Sequence, residues 1–173
     1  MKKLLFTVFA AVILFSGCGT VQSIIKSSFP YTATLVIPAS SAKNTTLSAS
    51  SIAGSFDESV GNVNGHNYIK DIKIASAKLV ATVPKGKSMG MFKSAKVFLS
   101  SGNSGEVMVA SRNDISEHIG SDLVLDIDNS RFLDIYIKGA IIKVRMEYVL
   151  RDSLTTDVSV KTSLGFSAAP KNK

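Results

Sequence analysis

The sequence has few of the residues from which metal sites, nucleophilic active sites and disulfide frameworks are built. It holds one cysteine, two histidines and no tryptophan among 173 residues. The single cysteine, Cys18, has no disulfide partner within the chain, so an apolar core must supply the stability of a folded domain. Neither histidine, His66 or His118, belongs to a cluster of ligand-type residues at the spacing of a metal site. We therefore expect no metal and no other cofactor.

The charge distribution also lacks any strong concentration. The formal net charge is +7, but lysines and arginines are spread along the chain with acids between them. Nucleic-acid-binding domains usually cluster their cations on one face. We expect no nucleic-acid partner, and a solvated surface with a mild attraction to anionic lipid headgroups.

The most strongly patterned part of the chain is its N-terminus. Lys2 and Lys3 precede an apolar run, Leu4 to Phe15, that only Thr7 interrupts. As a helix this run would span about 18 Å, which is less than the roughly 30 Å hydrocarbon core of a bilayer. The pattern is typical of a signal peptide and not of a membrane span.

The segment LFSGC, which ends at Cys18, resembles the lipobox of bacterial lipoproteins, with Phe15 where leucine is usual. The resemblance implies acylation of the Cys18 thiol, cleavage before it, and attachment to a membrane through the lipid. Gly19 stands where an aspartate would resemble an inner-membrane retention signal of many Gram-negative bacteria. The expected location is therefore the outer membrane, on its periplasmic face or at the cell surface.

The rest of the chain reads as short alternating segments separated by turn-forming residues, with no long amphipathic helix. This pattern predicts an all-β fold, an antiparallel β-sandwich of about eight strands, either immunoglobulin-like or jelly-roll-like. A small closed β-barrel is the alternative. The predicted organisation is a signal peptide at 1–17, a tether at 18–30, the sandwich domain at 31–168 and a polar tail at 169–173.

Two segments in the middle of the chain give sharper predictions. In Ile69–Val83 the apolar phase shifts, which predicts a β-bulge near Ala75 and Ser76 and an inward Val83. The alternation of apolar residues then predicts one strand through Leu123, Leu125 and Ile127 and another through Leu133, Ile135 and Ile137. Ile115 and Ile119, four residues apart, predict a helical turn.

The last two strands, 142–150 and 158–166, have the clearest alternation. Paired as an antiparallel hairpin, they would bring both apolar faces together and set Glu147 opposite Lys161 and Arg151 opposite Asp157. The stretch from DLVLDID to VKTSLGFSAAP resembles the C-terminal half of small, uncharacterised β-sandwich proteins of Gram-negative envelopes. That resemblance implies the fold and carries no catalytic motif.

Two motifs resemble ligand sites but lack the context that the chemistry requires. Residues 81–88, ATVPKGKS, fit a relaxed phosphate-binding loop, yet strand alternation follows where a helix must begin. Asp126, Asp128 and Ser130 resemble the start of a calcium loop, but Arg131 and Ile137 occupy the glycine and glutamate positions. We expect no nucleotide partner and no calcium.

These observations predict a lipid-anchored envelope protein with a structural or partner-binding role, and not an enzyme. Its expected partners are the membrane, reached through the lipid, and an envelope protein or glycan. A module that binds a glycan or lipid is the second interpretation, and a small hydrolase is the third. The candidate contact surface is the loop Pro84–Phe92, which combines cationic and apolar side chains: Lys85, Lys87, Met89, Met91 and Phe92. Its alternative is that Met91 and Phe92 turn inward and cap the core.

Overall fold

The computed structural model describes residues 27–60, 64–102 and 104–171, so the predicted lipidation site Cys18 lies outside the described residues. The described residues form a sandwich of antiparallel sheets, which confirms the predicted fold class. The strands are β1 (Ser27–Ile37), β2 (Thr46–Ala53), β3 (Ile69–Val83), β4 (Phe92–Ser100), β5 (Glu106–Arg112), β6 (Asp122–Val124), β7 (Asp126–Ile127), β8 (Ile142–Leu150) and β9 (Val158–Pro170). Short helices occur at α1 (Phe56–Val60) and α2 (Asp134–Ile137), with 3-10 turns at Gly65–Tyr68 and Met89–Met91.

The strands are arranged in the order β1-β9-β3-β6 in one sheet and β2-β8-β4-β5-β7 in the other. Each sheet keeps its own edge strands, so the domain is an open sandwich and not the closed barrel held as the alternative. Within the described part of the chain, no helix has both the length and the apolar composition needed to cross a bilayer.

The core lies between the two sheets and is filled by alternate side chains of the strands. Leu35, Leu79 and Phe166 from the first sheet and Met146 and Tyr148 from the second are at most 2% exposed. The domain also extends beyond its predicted limits, because β1 begins at Ser27 and β9 ends at Pro170. Phe29, in the predicted tether, is buried in this core.

The predicted β-bulge in β3 is confirmed. Ile74 lies opposite Phe166 and Ser76 lies opposite Gly165, so Ala75 is the extra residue. A later register shift lies between Ala81 and Val83. Since an extra residue reverses the alternation, Val83 is 57% exposed, and its predicted inward position is wrong.

The prediction for the last two strands is wrong about their pairing and right about which side chains face the core. The inward residues of both strands are buried as the alternation predicts: Ile142, Val144, Met146, Tyr148, Leu150, Val158, Val160, Thr162, Leu164 and Phe166. However, β8 pairs with β2 and β4, whereas β9 pairs with β1 and β3 in the opposite sheet. Glu147 therefore pairs with Lys96 and Arg145 instead of Lys161.

Three further segments differ from their predicted structure. The stretch around Leu123–Ile127 is divided between β6 of one sheet and β7 of the other. Leu133, the residue before α2, and Ile137, its last residue, are both buried, which leaves Ile135 exposed where a strand was predicted. The chain from Ile115 to Ile119 forms a non-helical turn. In each case a few apolar residues fit more than one period, and packing selects one of them.

The antiparallel register defines two ends of the sandwich. The proximal end, nearest in sequence to Cys18, contains the start of β1 at Ser27, the starts of β3 and β8, and the end of β9. The distal end contains the end of β1 at Ile37, the loop between β3 and β4, and the loop between β8 and β9. The 11 residues of β1 separate these ends by about 35 Å.

Candidate functional site

The predicted contact loop, Pro84–Phe92, lies at the distal end. Lys85 is exposed and Lys87 is half-buried, so the cationic part of the loop faces solvent. Met89 and Phe92 are 0% exposed, and Met91 is partly buried against the core. The apolar part of the proposed contact surface is therefore directed inward, because these side chains close the end of the core. This is the arrangement that the capping alternative describes.

The second half of this loop is held against the segment that follows β5. The Ser88 Oγ accepts from the Gly90 N–H and donates to the carbonyl of Ile119, and the Met89 N–H donates to the Gly120 carbonyl at 2.8 Å. A Cβ on Gly90 would lie 2.2 Å from the carbonyl oxygen of Glu117, so only glycine permits this approach. The GKS segment thus leads into a 3-10 turn and β4, not into the long helix of a phosphate-binding loop.

Arg151 joins the loops of the distal end to one another. Its guanidinium donates to the Gly90 carbonyl at 3.2 Å and to the Ile115 carbonyl at 2.6 Å, and it pairs with Glu117 at 3.0 Å. The predicted partner, Asp157, instead accepts from the Ala39 N–H at 2.8 Å. The planar fork of arginine suits such a site, because one side chain satisfies groups on two loops at once.

These loops enclose a cleft of about 270 Å³ beside the guanidinium. Lys87 and Arg151 supply positive charge to its walls, Glu117 and Asp152 supply negative charge, and Met91 supplies an apolar surface. Small-molecule pockets in proteins usually have volumes of roughly 300–1,000 Å³. This cleft therefore suits one charged side chain or one sugar-sized group better than a large enclosed ligand.

A second concavity, of about 260 Å³, lies at the proximal end between α1 and the turn before β8. Asp57 accepts from the backbone N–H of His66 and of Asn64, each at 3.0 Å, and its Oδ2 lies 2.8 Å from the Nδ1 of His66. Because a carboxylate only accepts, Nδ1 carries the proton. Both side chains are about one-quarter to one-third exposed, at 26% and 31%.

The electrostatics of this pair follow from the same contacts. Partial burial opposes ionisation of Asp57, but the hydrogen bonds from His66 and Asn64 outweigh it, and the net effect lowers the pKa of Asp57. An aspartate that orients a histidine in this way is one component of general-base catalysis. Lys138 lines the same concavity but pairs with Asp134 at 2.9 Å and donates to the carbonyl of Ile69.

The residues that resemble a calcium loop are engaged in local contacts. Asp126 pairs with Arg112 at 3.2 Å, and Asp128 accepts from both the N–H and the hydroxyl of Ser130. The hydroxyl contact, followed by the backbone contact, lowers the pKa of Asp128. Among the described residues, no three His, Cys, Asp or Glu side chains group closely enough to hold a metal ion.

The sequence did not reveal either cluster. Asp57 and His66 are nine residues apart, and a helix followed by a turn is needed to bring them together. Arg151 donates to the backbone carbonyls of Ile115 and Gly90, which are 36 and 61 residues away in the sequence. A backbone carbonyl belongs to every residue, so no side-chain pattern indicates these partners. The sequence signals were the predicted contact loop, which supplies Lys87 and Met91 to the distal cleft, and the predicted end of a strand at Leu150, which indicates a loop and no particular partner.

Comparisons with known proteins do not assign this chain to a family. No protein-family model and no curated protein matches the sequence. Among solved structures, a chain from Desmodium yellow mottle tymovirus is 9% identical, with 86% of this chain and 84% of that chain covered and a TM-score of 0.26. A similarity at this level carries no argument about fold or function.

Proposed function

We propose that this chain is a lipid-anchored protein of the bacterial cell envelope with a structural or partner-binding role and no enzymatic one. The observation that carries the proposal is the N-terminal sequence, in which the lone Cys18 follows an apolar run and LFSG. A lipoprotein needs its cysteine at this position. Acylation would therefore explain why a chain that can form no internal disulfide contains a cysteine. The membrane is therefore the first partner, reached through the acylated Cys18.

The distal cleft supports partner binding as the role of the domain. Its walls combine both signs of charge with the Met91 side chain, and Arg151 holds its loops in place. A rigid polar cleft of about 270 Å³ matches a single protruding group of an envelope protein or glycan. The exposed Lys85 lies on the loop that forms one side of the cleft.

The anchor is tested by the mature N-terminus of the chain expressed in a Gram-negative host. We expect mass spectrometry to find a diacylglyceryl group on Cys18 as the first residue, and the protein to fractionate with membranes. The Cys18→Ser variant should leave the membrane fraction, whereas Ser23→Ala should remain in it. A free Cys18 thiol in the wild-type protein would refute the anchor.

Partner binding is tested separately with a photo-crosslinking amino acid. At Lys85 the probe is exposed on the loop that borders the cleft, and at Thr34 it occupies an exposed position on β1 as the matched control. We expect a discrete adduct with an envelope protein or glycan from Lys85 and none from Thr34. Equal labelling from both positions, or none from Lys85, would remove the cleft from the functional account.

A further inference from the structure

The proximal end of the sandwich exposes a group of large apolar side chains. Tyr68, Phe132, Ile135 and Ile141, here called the proximal patch, are 60%, 56%, 66% and 58% exposed. At the distal end, only Val36 and Val83 among the described large apolar residues are comparably exposed. Single exposed apolar residues are ordinary, but several at one place indicate an interaction surface.

Hydrogen bonds hold the segments that carry the patch together at this end. The N–H of Lys171 donates to the carbonyl of Tyr68 at 2.8 Å, and the N–H of Leu133 donates to the carbonyl of Ile72 at 2.7 Å. Ser101 donates to the carbonyl of Ile141 at 2.7 Å. These bonds join the segment that follows Tyr68 to the segment that follows Phe132, and they fix Ile141 against the end of β4.

Packing of the core does not explain why these positions are apolar. Leu133 and Ile137 fill the core side of α2, each at 0% exposure, and Phe132 and Ile135 lie outside that pair. Phe132 contacts Lys73, whose ammonium lies 4.9 Å from the ring centroid.

The charges around the patch favour an anionic neighbour. Four acids of this end are already paired with bases: Asp57 with His66, Asp71 with Lys70, Asp134 with Lys138, and Glu106, at the start of β5, with Arg145. Other cations of this end, Arg131, Lys143 and Lys171, are exposed, with Glu58 as an exposed acid. Apolar side chains among cations are typical of surfaces that lie in a lipid headgroup layer.

The covalent connection to Cys18 brings this end to the membrane. Residues 19–26 separate Cys18 from Ser27, and a chain of that length spans at most about 30 Å. The proximal end, where β1 begins, is therefore within that distance of the membrane. The distal end lies about 35 Å farther along β1, which is more than that connection can span.

We propose that the proximal patch rests in the anionic headgroup layer of the membrane that anchors Cys18, which orients the distal cleft away from that membrane. This inference rests on the lipid anchor proposed above. It assigns one end of the sandwich to the lipid and leaves the other end free for the partner.

Fluorescence quenching in vesicles tests the orientation with the full lipidated chain. Because acylation blocks Cys18, a cysteine introduced at exposed Ala140, beside the patch, or at exposed Thr155, in the distal loop, is the sole free thiol. The vesicles contain phosphatidylcholine, phosphatidylglycerol and a lipid with a spin-labelled headgroup. We expect several-fold stronger quenching of a fluorophore at Ala140→Cys than at Thr155→Cys.

A patch variant with Phe132→Ser, Ile135→Ser and Ile141→Ser should bring the two labels close to equal quenching. The distal variant Val36→Ser with Val83→Ser is the matched control and should preserve the difference. Equal quenching in the unmodified chain, or a difference that the patch variant leaves intact, would overturn the orientation. Vesicle flotation separates the two proposals, since a chain that fails to float refutes the anchor and the orientation together, whereas one that floats without a difference refutes only the orientation.

Discussion

At the distal end of the sandwich, the loop before β4 directs Met89 and Phe92 into the core, whereas at the proximal end Phe132 and Ile135 face solvent. Both ends carry lysines beside apolar residues, so composition alone does not distinguish them. The two ends differ in whether the side chains of the loop are needed to close the core. The distal loop closes the open end of the core, and its buried side chains replace strand residues there. At the proximal end, Leu133 and Ile137 already fill that role.

An apolar residue in a loop therefore indicates an interaction surface only where other residues already cover the core. At the distal end the surface is polar and fixed, with Arg151 bonded to the backbone of two loops. At the proximal end the surface is apolar and cationic. The two surfaces fit different neighbours, a polar partner group at one end and a headgroup layer at the other.

The largest effect that tests this contrast is a pair of phenylalanine truncations. Phe92→Ala should lower the free energy of unfolding by about 3–5 kcal/mol, because it removes a buried ring that packs edge-on against Tyr148. Phe132→Ala should cost less than about 1 kcal/mol, since it loses mainly an exposed contact with Lys73. Urea titration of both variants measures the difference, and comparable losses would show that the two ends do not differ as described.

A second test concerns the rigidity of the distal surface. Arg151→Ala should lower the free energy of unfolding by about 1.5–3 kcal/mol, because charge-assisted hydrogen bonds to the Gly90 and Ile115 carbonyls are lost. Lys87→Ala, in the same cleft, should change it by no more than about 0.5 kcal/mol. Arg151→Lys should restore only part of the loss, since an ammonium lacks the fork. If Arg151→Ala and Lys87→Ala gave equal results in urea titration, the guanidinium would not hold these loops.

The sequence predicts which side chains of a strand face the core better than it predicts which strands pair. Alternation assigns inward faces because a strand has a period of two, so the buried faces of β8 and β9 and the bulge at Ala75 were predictable. Alternation does not determine which strands are hydrogen-bonded to each other. The same inward faces are buried whether β8 and β9 pair side by side or face each other across the core, and the structure has the second arrangement.

The candidate sites were less predictable, because they depend on that choice of neighbours. Assigning β8 and β9 to different sheets separates Glu147 from Lys161 and directs Arg151 toward Gly90 and Glu117. Leu133, Ile135 and Ile137 fit both a strand and one helical turn, and only the helical reading exposes Ile135. Because the strand period was assigned to this segment, the exposed position of Ile135, a residue of the proximal patch, was not predicted from the sequence.

The smallest expected effect lies at the proximal end and concerns its polar contact, Asp57 with His66. Hydrogen bonds lower the pKa of Asp57 in the folded state, even though burial opposes this. A lowered folded pKa means that the stabilisation is present above the unfolded value of 3.8 and is lost as the pH falls through the lowered folded value. Stability should therefore decrease from about pH 5 toward pH 3, and Asp57→Asn should be less stable at pH 7 and less sensitive to pH in that window. Asp114→Asn, which replaces an exposed acid at the distal end, is the matched control for urea titrations across this range. Identical pH profiles for the two variants would show that the Asp57–His66 contact contributes nothing to the proximal end, whose stability would then come from its buried apolar residues alone.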